Sequence, residues 1–233
     1  MGFTEADDKA NVVANRERFL KAVTGDASFP LATVRQIHSA IVRYLAGDES
    51  GTESGECQAD GLMTTEPGIL LGIQTADCIP VLVADRRQLA VAAFHAGWRG
   101  TLRRIVEEGV GRMRREFCSK PEDLVAAIGP GIGQCCYRVG EDLRNEFTSQ
   151  FTYAADLFSG KCLSAIGEEN PDSGPHLDLI EANRRQLLDA GVSASAISIT
   201  GECTSCRMDR YFSYRAEHGR TGRMLSVIGI SRV

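Results

Sequence analysis

Histidine is scarce. The 233 residues contain four, His38, His95, His176 and His218. A cluster of several copper ions built mostly on imidazole would need more, so the chain can furnish one mononuclear site with two or three histidine ligands and little else. An excess of positive charge is missing as well: lysine and arginine number 26 against 31 acids, for a net charge of −5. That argues against a nucleic-acid protein that depends on a basic footprint, although a few arginines in one pocket still suffice for a small anion. No clean apolar run is long enough to cross a membrane. The longest, Ile69–Val83, is interrupted by Gln74, Thr75, Asp77, Cys78 and Pro80. Met1–Ala10 is acidic and lacks the apolar centre of a secretory signal. The expected compartment is therefore the cytoplasm, where thiols stay reduced. The eight cysteines then read as free, metal-bound or catalytic rather than paired.

What is present reads as a soluble globular chain, 43% hydrophobic and 24% charged. Asp7–Thr24 is expected to be a helix, with Val12, Val13, Phe19, Leu20 and Val23 near one face and Asp7 or Asp8 as its cap. Leu31–Ile37 and Ile41–Leu45 read as strands, and Ala46–Ala59, rich in Gly, Ser, Glu and Thr, as a loop. Three buried strands follow at Ile69–Gln74, Ile79–Ala84 and Leu89–Phe94. Gly97 and Gly100 break that pattern before an amphipathic helix over Thr101–Phe117. Leu124–Ile128 predicts a strand, Gly140–Phe151 a short helix, Gly160–Pro175 a polar loop, and Asp178–Ala190 a helix stopped by Gly191. Ala196–Thr200, Tyr211–Tyr214 and Met224–Ile230 close the list of strands. Helices and strands mix without strict alternation, which predicts an α+β fold. No linker or repeat divides the chain, so residues 1–233 are read as one domain.

Three segments put a metal-binding side chain where a strand gives way to a loop: Arg35-Gln36-Ile37-His38, Thr75-Ala76-Asp77-Cys78 and Phe94-His95-Ala96-Gly97-Trp98-Arg99-Gly100. The separations, 40 residues from His38 to Cys78 and 17 from Cys78 to His95, match no local motif. They suit ligands gathered by strand ends. Two imidazoles and a thiolate make a three-ligand set for Zn²⁺ with the fourth position open, and copper tolerates the same donors. The plain alternative is that Cys78 is a small core residue and each histidine a hydrogen-bonded packing residue. Cys203-x-x-Cys206 is half of a zinc ribbon. It lacks a second such pair, and Cys135-Cys136 has the wrong spacing, so the motif is weak. Gly129-Pro130-Gly131-Ile132-Gly133 lacks the lysine of a phosphate-binding P-loop and reads as a tight turn. His176 and His218 lie in polar stretches and are expected at the surface.

Several of these segments, with Ala59-Asp60-Gly61-Leu62, Thr75-Ala76-Asp77-Cys78-Ile79-Pro80-Val81, His95-Ala96-Gly97-Trp98-Arg99-Gly100, Ile128-Gly129-Pro130, Cys136-Tyr137, Val139-Gly140, Phe212-Ser213-Tyr214-Arg215 and Gly222-Arg223-Met224, occur in order along nearly the whole chain. In them the sequence closely resembles the YfiH family of laccase-domain proteins. The resemblance implies an α/β/β/α four-layer sandwich, described for the family as a cysteine-hydrolase type. It implies zinc on His38, Cys78 and His95, the trio reached above. It also implies phosphorolysis of adenosine, inosine, guanosine or methylthioadenosine to base and ribose 1-phosphate, with adenosine deamination as a side activity. Members have also been called copper polyphenol oxidases, and some are linked to peptidoglycan-precursor quality control. The family carries about thirty residues ahead of the segment matching Gly2-Phe3-Thr4, and the expectation is that this chain lacks them.

For phosphorolysis, a phosphate must reach C1′ and the base must leave through an oxocarbenium-like transition state, so anion placement matters most. Arg99, at the start of the helix after His95, is the candidate phosphate seat. Its alternative role is to pair with a surface carboxylate. For deamination, Asp77 is the nearest carboxylate to act as proton shuttle, unless it only bonds a backbone N–H or supports a ligand. Cys78 is read first as ligand and second as nucleophile, with His38 or His95 as its base in the latter case. Gln36, Trp98 and Arg215 are the substrate-binding candidates, and Trp98 and Tyr137 could stack on a purine or simply pack. Three functions compete: the zinc-dependent phosphorylase, a weak copper-dependent phenol oxidase, and a module that binds a nucleotide-linked precursor without turnover. The expected partners are a purine nucleoside and phosphate, with no nucleic acid and no membrane, and the expected state is a monomer or weak homodimer.

Overall fold

A computed structural model describes residues 1–3, 8–46, 53–159 and 174–231. The first helix, α1 (Lys9–Thr24), starts one residue after Asp8, whose carboxylate accepts from the Ala10 N–H at 2.8 Å. Gly25, at φ 83°, ends it in the left-handed conformation that glycine adopts most easily. Val12 and Leu20 are buried, but Val13 and Val23 are 45% and 51% exposed, so the apolar face is narrower than the sequence predicts. Strands β1 (Leu31–Arg35) and β2 (Val42–Leu45) follow.

The segment expected to be a loop contains a strand, β3 (Glu53–Gln58), parallel to β1. A polar edge strand is held by backbone ladder bonds and needs no apolar alternation, which is the signal a sequence reading looks for. Strands β4 (Gly61–Thr64), β5 (Leu70–Thr75), β6 (Ile79–Asp85) and β7 (Ala90–Ala96) come next, and β7 is buried along its whole length.

The predicted helix over Thr101–Phe117 is two helices, α2 (Trp98–Leu102) and α3 (Ile105–Phe117). Arg104 stands between them at φ 59°, an unfavourable conformation for a residue with a Cβ. Gly100 lies inside α2 rather than breaking it, and a Cβ there would sit 3.1 Å from the Ser39 carbonyl oxygen. Then come β8 (Leu124–Ile128), α4 (Glu141–Gln150), the short pair β9 (Phe158–Ser159) and β10 (His176–Leu177), α5 (Leu179–Asp189), β11 (Ile197–Ile199) and β12 (Met224–Gly229). Most of the predicted loop over Gly160–Pro175 lies outside the described residues.

Tyr211–Tyr214 is a turn rather than the expected strand. Its backbone is satisfied locally, the Gly219 N–H bonding Tyr214 O and the Ser213 N–H bonding the Glu217 side chain. His176, expected at the surface, is 4% exposed, because the β9–β10 pairing and a bridge to Arg138 enclose it. His218 is exposed as expected.

The result is an α+β fold with mixed sheets. Beside the two-stranded β10-β9 pair there are two larger sheets, one of four strands in the order β12-β5-β1-β3 and one of six in the order β11-β8-β6-β7-β4-β2. Three apolar seams hold these elements. Leu20 packs with Leu31, Leu70 and Leu225 between α1 and the four-stranded sheet. Val34, Leu71 and Ile73 meet Leu62, Val91 and Ala93 between the two sheets. Phe94, Val110, Met113, Leu124 and Leu187 fill the seam under α3 and α5. Each fully buried side chain of this size contributes roughly 1.5–3 kcal/mol. Among the described residues no helix is long and apolar enough to cross a membrane.

Candidate active site

The two sheets meet where β5 bends into β6. Residues 76–78 form that bend, with Asp77 at φ 86°. The bend carries Cys78 to the end of β1, which leads to His38, and to the end of β7, which carries His95. The ligand atoms of His38, Cys78 and His95 all lie within 4.8 Å of one another, with His38 Nε2 3.8 Å from Cys78 Sγ. The imidazole rings stand edge to face, their centroids 4.9 Å apart. A tetrahedral zinc with arms of about 2.0–2.3 Å needs donors separated by about 3.3–3.8 Å, so small side-chain rotations bring the three atoms onto one ion. Gly97 makes this convergence possible, since a Cβ at that position would lie 2.8 Å from Cys78 Sγ and 3.0 Å from His38 Cδ2.

Asp60 organises both histidines. It is fully buried at the start of β4. Its carboxylate accepts the backbone N–H groups of Ile37, His38 and Ser39 at 3.2, 2.9 and 2.6 Å and the Ser39 hydroxyl at 2.7 Å. These bonds hold the chain at His38 in its left-handed conformation, φ 58°. The fifth bond comes from His95 Nδ1 at 2.8 Å. A carboxylate only accepts, so Nδ1 carries the proton and Nε2 is left for a metal.

The protonation states follow. Burial would raise the Asp60 carboxyl, but hydrogen bonds from His95 and Ser39 outweigh it and hold it at about 2. Burial would also raise the Cys78 thiol, but the His95 charge and the His38 hydrogen bond draw it down to about 6. His95 goes the other way. Burial lowers it, while the Cys78 charge and the Asp60 hydrogen bond lift it to about 9. Each shift favours the charged form of its group, and a bound cation would take the place of the positive charge that His95 supplies.

These residues stand in a cleft of about 830 Å³. All eight candidates from the sequence line it: Gln36, His38, Asp77, Cys78, His95, Trp98, Arg99 and Arg215. Their bonding separates them. Both Asp77 oxygens are engaged, one by the Thr204 hydroxyl at 2.6 Å and one by the Arg215 N–H at 2.7 Å. The Gln36 amide pairs twice with the backbone of Gln74, at 2.7 and 2.8 Å. The Arg99 guanidinium lies over the Trp98 ring, 4.3 Å from its centroid, and that of Arg215 over the Tyr137 ring at 5.2 Å. Burial and the nearby Cys78 charge push the Tyr137 hydroxyl up.

Sequence reasoning missed Asp60 as a site residue, and it missed the cleft's positive charge. Arg16, Arg35 and Arg223 join Arg99 and Arg215 on the wall, while Asp77 is the one acid there among the described residues. The signal for Asp60 was its place in Ala59-Asp60-Gly61-Leu62. The arginines left no signal, because they are scattered along the chain and gathered only by folding.

The chain resembles known proteins along most of its length. A purine nucleoside phosphorylase of Bacteroides thetaiotaomicron is 41% identical over 233 residues, covering 97% of this chain and 82% of its own length. The adenosine deaminase RL5, of an unknown prokaryotic organism, is 34% identical over 204 residues, covering 85% and 74%. The crystal structure of the Bacillus licheniformis hypothetical protein YfiH superposes with a TM-score of 0.87 at 30% identity, over 99% of this chain and 85% of that one. The profile of the family described as multi-copper polyphenol oxidoreductase laccase matches residues 1–231, and the chain belongs to that family, the one that includes the YfiH proteins.

Proposed function

We propose that this protein is a zinc-dependent purine nucleoside phosphorylase. The observation that carries the reading is a convergent His38–Cys78–His95 trio on the wall of a cleft that, among the described residues, carries five arginines and one fully engaged acid. A bound zinc supplies Lewis acidity at the point where the nucleoside meets its co-substrate. The rest is the work of the side chains. The guanidinium groups of Arg99 and Arg35 make no hydrogen bond or ion pair to another described residue, so their donors are open to phosphate. Trp98 acts through Arg99, holding the guanidinium in place by the ring contact. Tyr137 does the same for Arg215. Asp77 and Gln36 act as positioning residues, since their polar atoms are already bonded to Thr204, Arg215 and Gln74. Arg215, Trp98 and Tyr137 bound the volume in which the purine lies.

A deaminase activity on adenosine at the same site is the second reading, favoured by the likeness to RL5. Asp77 is poorly placed as its proton shuttle while Thr204 and Arg215 hold both oxygens. Copper polyphenol oxidation is the weaker alternative. The two groups of metal-binding side chains among the described residues contain two histidines between them, too few for a multicopper cluster. Cys78 serves as ligand first. A cysteine-hydrolase role would need the metal-free thiolate, because a bound cation holds the lone pair that would attack. The reading takes residues 1–233 as one cytoplasmic domain working on small molecules, as a monomer or weak homodimer. The three apolar seams support a four-layer α/β/β/α arrangement for it.

The test is chromatographic. The zinc-loaded protein is incubated with adenosine, with and without phosphate, beside Cys78→Ala. Adenine and ribose 1-phosphate are expected only with phosphate and only from the wild type. Inosine formed regardless of phosphate would favour the deaminase, and no product from folded, metal-bearing protein would turn the reading toward a module that binds a precursor without turnover.

A further inference from the structure

Four cysteines outside the cleft converge. Cys135 and Cys136 follow β8, and Cys203 and Cys206 follow β11. Because β8 and β11 are parallel neighbours, the segments leaving them run side by side. The pairing continues beyond the strands through a bridge between Gly131 and Cys203, with the Thr204 N–H bonding Gly131 O at 2.9 Å. Cys136 and Cys206, 70 residues apart in the chain, have their sulfurs 3.4 Å apart, and Cys135 and Cys206 have theirs 3.6 Å apart. All four Sγ atoms lie within 4.8 Å of one another. A tetrahedron with zinc–sulfur arms of about 2.3 Å has edges of about 3.8 Å, so the four atoms already stand near its corners.

The local backbone explains how an unpromising spacing reaches this geometry. Gly133 O accepts the N–H groups of both Cys136 and Tyr137, so Cys135 and Cys136 lie in one helical turn. Neighbouring side chains there diverge by about 100–120° and share a side, whereas in a strand they would oppose. Cys203 and Cys206 lie three residues apart in a second turn, closed by the Arg207 N–H to Cys203 O. The Gly133 N–H donates to Cys203 Sγ at 3.2 Å, a bond that favours a thiolate. A Cβ on Gly133 would sit 3.1 Å from Cys203 Cβ and 3.3 Å from Cys135 Sγ, so the close approach of the two turns depends on that glycine.

We propose that Cys135, Cys136, Cys203 and Cys206 bind one zinc ion in a closed tetrathiolate centre that clamps two loops of the cleft wall together. Binding releases the thiol protons to solvent, and no sulfur changes oxidation state. With four protein ligands no position stays open for substrate, so the centre is structural. Its reach into the cleft is short. Ile132 and Tyr137 on the first loop and Tyr214 and Arg215 on the second line the cleft, and Thr204, between the second pair of cysteines, holds Asp77.

The test uses the full chain with the other metal trio removed, Cys78→Ala/His95→Ala, so the outcome is independent of the proposed activity. Purified under reducing conditions and checked for folding by circular dichroism, this variant is expected to carry one zinc per chain by elemental analysis. Cobalt in its place should give the intense sulfur-to-metal charge-transfer bands of a tetrathiolate. Adding Cys203→Ser, or Cys206→Ser at the exposed member should the first variant fail to fold, is expected to abolish both signals. Native alkylation should spare the four cysteines until a chelator is added, and hydrogen exchange in residues 131–137 and 203–215 should then speed up. A folded, reduced chain without zinc, iron in its place, or the four sulfurs recovered as disulfides would overturn the assignment. Zinc binding with unchanged loop exchange would overturn the clamp.

Discussion

Asp60 illustrates how much one side chain decides at the residue scale. Its five hydrogen bonds fix the backbone at His38 and the ring of His95 together. Asp60→Asn keeps the size but loses the charge, and a loss of metal affinity of about 10–100-fold is expected. It also changes the pH dependence of stability. The native carboxyl lies at about 2 against an ordinary 3.8, so it stabilises the metal-free fold by about 2 kcal/mol at neutral pH. That contribution is complete above about pH 4 and is lost as pH falls toward about 2, because the depressed group must then take up its proton. Urea titrations of metal-free wild type and Asp60→Asn should therefore differ at neutral pH and converge in acid; a gap that stays constant would show that the charge is not what stabilises. Gly97→Ala tests the cradle. Its methyl would meet Cys78 Sγ at 2.8 Å, and since such sites tolerate displacements of only about 0.5 Å, metal affinity should fall by tenfold or more in a protein that still folds. Isothermal titration with zinc measures both variants.

At the scale of elements, α3 packs closely on β7. Gly109 on α3 faces the Phe94 ring, and a Cβ there would lie 2.4 Å from two of its carbons. Gly109→Ala sets two effects against each other. Alanine favours a helix over glycine by about 1 kcal/mol, whereas overpacking a rigid core costs about 1–3 kcal/mol. Phe94 is fully buried and cannot swing away, so packing wins and the variant should be less stable by about 1 kcal/mol in denaturant unfolding. A stabilised variant would mean that α3 slides outward. Because His95 is the next residue on β7, zinc affinity should weaken in parallel. The break between α2 and α3 belongs to the same scale. Arg104 remains left-handed while its guanidinium bonds Glu107 and the Gln150 carbonyl and covers the Phe151 ring. Those contacts tie the helix junction to the end of α4, and the apolar stripe in the sequence ran through the junction without marking it.

Over the whole molecule, the His38–Cys78–His95 trio joins the two sheets. His38 follows a strand of the four-stranded sheet, His95 lies on a strand of the six-stranded one, and Cys78 lies in the bend between them. An ion held by all three links layers that otherwise meet through apolar packing. A ligand that binds only the native state at a hundredfold excess over Kd stabilises it by about 2.7 kcal/mol, which in a chain of this length raises Tm by about 5–10 °C. Zinc should therefore raise the melting temperature of chelator-treated protein by at least that amount. Cys78→Ala should lose the part of the rise due to the trio, and an unchanged rise would place the stabilising ion elsewhere. Charge is also distributed at this scale. The chain is acidic overall at −5, yet five arginines face one cleft, so an anion entering it meets a local field opposite in sign to the net charge.

Legible in the residues alone were the long apolar strands, the presence of the main helices though not the break between α2 and α3, and the three positions at which a strand end could offer a metal ligand. Each of these is local, because burial and capping leave a pattern within a few residues. The sequence hid β3, whose partner supplies backbone bonds that no composition reports, and it suggested a strand at Tyr211–Tyr214 where side chains close a turn instead. It placed His176 at the surface because the residues that enclose it are distant in the chain. Only the tertiary structure brought Asp60 beneath both histidines, turned five scattered arginines toward one cleft and set Cys135 and Cys136 against Cys203 and Cys206. Those arrangements join residues tens of positions apart, and their geometry comes from sheet register and loop closure, which a reading of neighbouring residues does not contain.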